Sequence, residues 1–434
     1  MKRLVMLFAL VGTAYADEPA KQTLTFESAI QLALSRNPDV TAAKQAVDSA
    51  SAKSAATRAN RWVTLGVSSA IDEYKDPYTL VFGTLGSFTL HERFTTATVV
   101  QLQQPLTGLA YLTELVNASE HQTSATMHDY DKTRLETAYR TADAYLRVLQ
   151  ARASADVAHK QVDDIQSELD RAKQLRAADT YTDIDVLRFQ SAKANADQTA
   201  LKADTLTETS LGGLIVQLGL PDGSPIDISD DLPPSPPSLA VSLDQAQRRA
   251  VQARPELAAA RDQIDAAHAA ARAAWLRYFP DIRGVAQWNH LTGVQPFEPE
   301  DEYFIGLTAS WNVWNWGATQ DTYNSAKADN ERAITAAAGL LDQVKLDVRN
   351  RWLDAKTAYD SLAVAQTQQQ TAEEALRLQK VRFDNAAATT TDVLDAQTDA
   401  ARARLSFATA RYDYYRALVG LARSVGDLPS TTPK

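Results

Sequence analysis

The 434-residue chain contains no cysteine. That excludes a disulfide framework, a thiolate metal site and a cysteine nucleophile, and with them the acylated N-terminal cysteine of a bacterial lipoprotein. Beyond the N-terminal segment no apolar run reaches the length of a membrane-spanning helix. A chain like this can cross a bilayer only as a closed barrel, because open strand edges are unsatisfied in lipid. There is no phosphate-binding glycine loop, no His-Glu-x-x-His and no nucleophile elbow. The short acidic pairs Asp183-x-Asp185 and Asp230-Asp231 lack the length and the glycine of a calcium loop. Basic residues are in deficit, 44 Lys plus Arg against 54 Asp plus Glu. That argues against a nucleic-acid surface, which has to neutralise phosphates. The six histidines are scattered. His121 and His128 lie seven apart and share a helical face, but no third ligand stands near them in sequence, so they read as solvated or core histidines. No enzyme, cofactor or metal site is expected.

The N-terminus carries a secretory signal over residues 1–16. Lys2 and Arg3 form its charged region, Leu4 to Val11 its apolar run, and Ala14-Tyr-Ala16 its cleavage site. The mature chain then repeats itself. Leu24 to Val40 recurs as Val241 to Leu257 at an offset of 217 residues, carrying Ala29 onto Ala246, Ala33 onto Ala250 and Pro38 onto Pro255. This period is half the chain, not a solenoid unit. The expected organisation is a first structural repeat over 17–220, a Pro-rich linker over 221–240, a second repeat over 241–425 and a tail over 426–434.

Each copy runs through the same order. Short helices are expected over 25–36 and 242–253, capped by Thr25 and Ser242; only the second, with Gln245 three residues on, resembles a capping box. Pro38 and Pro255 open the next helices, where a missing N–H costs little. β-Hairpins follow at about 62–103 and 281–311, the first enclosing a polar loop over 73–92. The last strand alternates cleanly, with Tyr303, Ile305, Leu307, Ala309 and Trp311 on one face. Tilted strands of roughly ten residues can cross a bilayer. Trp62, Phe94, Trp288, Tyr303 and Trp311 stand near the expected strand ends, where interfacial aromatics occur. The same pattern also fits a small soluble sheet. Helices over 108–177 and 317–386 contain no proline, and at 1.5 Å per residue ~70 residues span on the order of 100 Å. Helices of that length belong to coiled coils. Shorter helices return over 183–218 and 392–424. The linker, rich in turns and polyproline, should be a surface strap.

This order resembles the TolC family of bacterial outer-membrane efflux proteins. The resemblance rests on the two Ala-x-x-x-Ala-x-x-x-x-Pro segments and on the strand-to-helix junctions Gln104-Pro105-Leu106 and Trp311-Asn-Val-Trp-Asn-Trp-Gly317. It also rests on the return-helix starts at Thr182 and Thr391. It implies a mainly α fold with a β-barrel portion: a long α-helical coiled-coil barrel plus four transmembrane strands per protomer. A homotrimer would share a twelve-stranded barrel in outer-membrane lipid, and its helices would enclose a periplasmic tunnel. It further implies a passive exit duct working with a periplasmic adaptor and an inner-membrane pump, in efflux or type I secretion. The rival class is a soluble periplasmic coiled-coil scaffold or adaptor.

The resemblance also points to the helical tips. Asp185, Asp392, Asp395 and Phe383 would form the pore gate, the acids as rings of carboxylates that favour cations. A plainer role for Asp185 and Asp392 is helix capping. Ala177, Ala178, Asp179, Asn385, Ala386 and Ala387 would contact the adaptor. The tips depart from the family pattern: Asp179 and Ala386 replace turn glycines, Arg176 replaces an aromatic, Phe383 lacks a hydroxyl and Ala388 stands where some members have arginine. The family's hydrogen-bonded, salt-bridged lock is therefore not carried over: either closure uses other contacts, such as packing around Phe383, or the resting gate is looser. Tyr412, Tyr414 and Tyr415 are expected in helix packing or equatorial contacts.

Overall fold

The computed structural model describes residues 22–178, 181–233, 235–294, 299–385 and 387–429. The expected signal over 1–16 and tip positions Asp179 and Ala386 lie outside them. In chain order the elements are β1 (Gln22–Leu24), α1 (Phe26–Arg36), α2 (Pro38–Ala59), β2 (Thr64–Glu73), β3 (Tyr78–Val81), β4 (Ser87–Pro105), α3 (Gly108–Ala177) and α4 (Asp183–Gln217). There follow β5 (Ile226–Ile228), α5 (Leu243–Ala253), α6 (Pro255–Leu276), β6 (Asp281–Val294), β7 (Asp301–Ser310), α7 (Ala318–Asp384) and α8 (Thr390–Val425). Both prolines sit where a helix begins, and the two long helices run unbroken over 70 and 67 residues.

The chain divides into two compact units. One is made of Met1–Thr41, Thr133–Ala253 and Lys345–Lys434; the other of Ala42–Lys132 and Arg254–Val344.

The core of the first unit forms where α1, the middle of α3, the end of α4 and the end of α8 bring Phe26, Ile30, Leu146, Leu149, Leu214, Leu218 and Val419 together. Thr25 and Ser28 close a capping box on α1, as Ser242 and Gln245 do before α5. The expectation that only the second forms a box is corrected: a serine hydroxyl reaches the cap N–H as well as a glutamine does. The linker is likewise more than a surface strap. Its β5 pairs in parallel with β1, and Ile226, Ile228 and Leu232 are buried in the core. Tyrosines fasten it. The Tyr145 hydroxyl lies 3.0 Å from the Leu24 carbonyl and also meets the Ser229 carbonyl. Tyr412 donates to Asp230, Tyr414 to the Pro237 carbonyl at 2.7 Å and Tyr415 to the Pro233 carbonyl at 2.6 Å. Burial pushes the Tyr412 and Tyr414 hydroxyls up to about 12. These tyrosines pack and tie the chain, as expected.

The second unit contains an antiparallel sheet in the order β2-β4-β6-β7, with β3 paired to the far part of β4. The expected polar loop 73–92 is thus partly strand, and β4 starts at Ser87 rather than near Phe94. β6 likewise runs on to Val294. In consequence Phe94 and Trp288 stand inside their strands and not near their ends, as the shorter expected strands had suggested.

Candidate functional site

Two features of the structure are candidates for function, a sheet face in one unit and a pair of helical turns in the other.

The sheet register sorts side chains by polarity. One row crosses the strands as Leu65, Leu102, Ala286 and Ile305, and the next as Val67, Val100, Trp288 and Tyr303. The opposite face is mainly polar, carrying Ser68, Gln101, Gln103, Gln287, Asn289 and Glu302 beside Val99, Val285 and Phe304, and Gln101 donates to Gln287 at 3.2 Å. The apolar face is uncovered: Tyr303 is 80% exposed, Ile305 84%, Leu307 73% and Ile71 74%. An exposed apolar face of this kind marks contact with lipid or protein, and apolar-out, polar-in alternation is the pattern of transmembrane barrels. Among the described residues β2 and β7 each pair along one edge only, and an open edge of this length invites another strand. No described helix is long and apolar enough to cross a membrane.

Aromatics collect where the strands meet the helices. Trp62 precedes β2 and Trp311 follows β7, both exposed, and the Trp311 indole donates to the Tyr278 carbonyl at 3.1 Å. The sequence reading left out Trp314 and Trp316, which are 75% and 88% exposed and meet edge to face. Trp316 holds φ at 57°, an uncommon conformation for a residue with a side chain. The signal was present in the Trp-x-x-Trp-x-Trp-Gly stretch, which had been read only as a junction.

The second feature lies where α3 turns into α4 and α7 into α8. In both turns a threonine caps the return helix and an aspartate three residues on closes a capping box. Asp185 accepts from the Thr182 N–H at 3.1 Å and from its hydroxyl at 2.6 Å. Asp392 accepts from the Thr389 N–H at 2.7 Å and from its hydroxyl at 2.8 Å. The Thr182 hydroxyl chiefly holds Asp185 below the usual carboxylate range, and the Thr389 N–H does the same for Asp392. The capping role of both acids is therefore present in the geometry. Asp395 is exposed one turn beyond Asp392. The two line an open groove with Asp399, Arg402, Thr367 and Gln379.

The two turns are also bound to each other. Asp185 accepts from the Thr390 hydroxyl at 2.8 Å, and Arg188 donates to the Thr391 hydroxyl at 2.9 Å. Arg171 pairs with Asp384, and Lys380 with Glu168 at 3.0 Å. Phe383 packs edge to face on Tyr181, 5.6 Å between centroids. Beneath them the fully buried Phe189 forms a small core with Leu169 and Ala172. The two turns are thus joined by ion pairs, hydrogen bonds and a ring contact, in which Asp185 and Phe383 of the expected gate positions take part beside Arg171, Lys380 and Arg188. Of the expected adaptor-contact positions, Ala177, Ala178, Asn385 and Ala387 are exposed. The Arg382 guanidinium closes its turn by donating to the Ala387 carbonyl at 3.2 Å.

The sequence signature of outer membrane efflux proteins matches residues 29–220 and again 246–427. The chain belongs to the outer membrane efflux protein family. It is an outer-membrane efflux channel reaching into the periplasm, and not an enzyme; the soluble-scaffold reading is set aside. Solved structures agree in fold. VceC from Vibrio cholerae is 16% identical, with 93% of this chain and 96% of that chain covered and a TM-score of 0.79. The Campylobacter jejuni CmeC outer membrane channel is 15% identical, with 98% and 94% covered and a TM-score of 0.76. The open state of the Neisseria gonorrhoeae MtrE channel is 17% identical, with 93% and 89% covered and a TM-score of 0.75. At such identities the likeness is one of fold. Among curated proteins no match is found.

Proposed function

We propose that three copies of this chain close a shared twelve-stranded barrel in the outer membrane. The apolar face bearing Val67, Val100 and Tyr303 would meet lipid, and the glutamine-rich face would line a water-filled pore. The observation that carries this is the bare apolar face bounded by two open edges, β2 and β7. Four main strands enclose too little to make a pore, and pairing β7 of one protomer with β2 of the next removes every edge at once. In this reading the chain is a signal over 1–16 and two structural repeats, 17–220 and 241–425, joined by the linker; the double match to one family signature supports the two repeats.

In this reading the paired turns form the periplasmic mouth. Asp392 and Asp395 become rings of acids on the threefold axis, favouring cations. Asp185 and Phe383 act instead in holding the turns together, and the resting gate is kept closed by the Asp185–Thr390, Arg171–Asp384 and Tyr181–Phe383 contacts. The exposed residues Ala177, Ala178, Asn385 and Ala387, with Asp179 and Ala386, dock a periplasmic adaptor that couples the duct to an inner-membrane pump. Transport through the duct is passive.

The test is the mass of the particle extracted from outer membranes in mild detergent. About three protomers per particle, with nothing released by aqueous washing, is the expected result for a shared barrel. A monomer or dimer in the periplasmic wash would sink the trimer and its barrel.

A further inference from the structure

The histidines that the sequence left without a third ligand acquire one in the folded chain. His121 and His128, two turns apart on α3, both face Asp262 of α6. The His121 Nδ1 lies 3.5 Å from one Asp262 oxygen and the His128 Nε2 lies 3.5 Å from the other. Asp265, one turn along α6, completes a cluster. One ligand atom each from His121, Asp262 and Asp265 lies within 4.8 Å of the others. The Asp262 side chain is only 20% exposed.

We propose that His121, Asp262 and Asp265 bind a divalent transition-metal ion of the zinc class, clamping α3 to α6. The spacing supports this. Two ligands, each about 2.0–2.1 Å from a tetrahedral ion, stand about 3.4 Å apart, close to the His121–Asp262 separation. A good N–H···O bond is shorter, about 2.9 Å. Charge points the same way: Asp262 and Asp265 bring two carboxylates together within reach of one ligand position, and a divalent ion cancels the charge of both. The donor set of one imidazole and two carboxylates suits zinc and its neighbours; with no thiolate available it does not suit Cu(I). His128 would hold the second oxygen of Asp262 from outside the ligand set, orienting the carboxylate as such partners do around metal sites. The site needs neither the trimer nor the gate, so it stands apart from the transport reading.

The experiment uses the full chain in mild detergent, cleared with a chelator and titrated with Zn²⁺ alone by calorimetry. One ion per chain is expected. His121→Ala and Asp262→Asn should each weaken uptake at least about tenfold, and His128→Ala less. His159→Ala, whose imidazole pairs with Asp204 in the other unit, should change nothing. Zn²⁺ should raise the unfolding temperature of the wild type and not of the first two variants. No saturable uptake by the wild type, or equal affinity in His121→Ala and Asp262→Asn, would overturn the proposal. If either variant is already less stable without metal, zinc-edge X-ray absorption on the wild type decides. One imidazole among light-atom ligands is the expected spectrum, and absence of imidazole scattering removes the site.

Discussion

The two helical turns begin alike and end differently. Thr182 to Leu187 and Thr389 to Leu394 share a threonine cap, an aspartate closing the box, and a following Val-Leu pair, displaced by 207 residues. At the next position the first turn has Arg188 and the second Asp395; then come Phe189 and Ala396. The first pair turns inward. Arg188 reaches Thr391, and Phe189 is buried under both hairpins. The second pair leaves an exposed acid in an open groove. Shared capping chemistry therefore fixes only where each helix starts. The two residues after it decide whether the turn builds the connection or lines the space beside it.

The largest effect should come from breaking the inward half of that comparison. Phe189→Ala empties a fully buried site and should cost about 3–5 kcal/mol locally. Limited proteolysis of the turns in detergent would read it as rapid cleavage near Tyr181 and Phe383. Ala396, its counterpart, packs no such core. Ala396→Gly should cost only about 1 kcal/mol, the ordinary helix penalty, and leave cleavage slow. Equal cleavage of the two variants would mean that the turns share the load.

Charge sharpens the outward half. Asp395→Arg gives the second turn the first turn's charge at this position. In bilayer recordings the preference for cations should reverse, since in the proposed trimer three acids of a ring would become three bases. Asp395→Ala should lower that preference severalfold. Asp392→Ala should lower it less, because its carboxylate is already held by the Thr389 N–H and hydroxyl. Asp185→Ala should leave selectivity unchanged and raise the closed-state leak instead. Next in size is the link between the turns. A double-mutant cycle on Asp185→Ala and Thr390→Ala should give a coupling of about 0.5–1 kcal/mol, a charged hydrogen bond discounted for solvent exposure.

Much of this was readable before any coordinates. Proline at the starts of α2 and α6, the proline-free runs of α3 and α7 and the strict alternation of β7 are local signals, and each fell where local physics put it. What escaped the sequence reading was long-range. β3 hides in a stretch of turn residues and becomes a strand only because β4 is long enough to pair with it. Ile226, Ile228 and Leu232 look like linker residues until β1 provides a partner. Arg171, Asp384 and Thr390 carry no motif; they meet because two hairpins pack together. Asp262 and Asp265 stand more than a hundred residues from His121, so no spacing rule could join them.

Acidity offers the smallest and most discriminating test. Asp185 and Asp392 both have folded-state values held below the ordinary 3.8 by hydrogen bonds. A depressed carboxylate contributes stability that is complete above its unfolded value and is lost as the pH falls through the folded one. The turns should therefore be insensitive to pH from neutrality down to about pH 5 and loosen only below about pH 4. The consequences of protonation differ. Protonating Asp392 weakens one cap; protonating Asp185 weakens a cap and the bond to Thr390 together. Amide exchange across both turns between pH 6 and pH 3 would separate them. Asp185→Asn should remove most of the acid-induced loosening of both hairpins, because the link is already weakened at every pH. Asp392→Asn should flatten the response only near Thr389. Loosening that began between pH 6 and pH 7 would point to histidine titration instead, and would remove Asp185 as the acid-sensitive member of the connection.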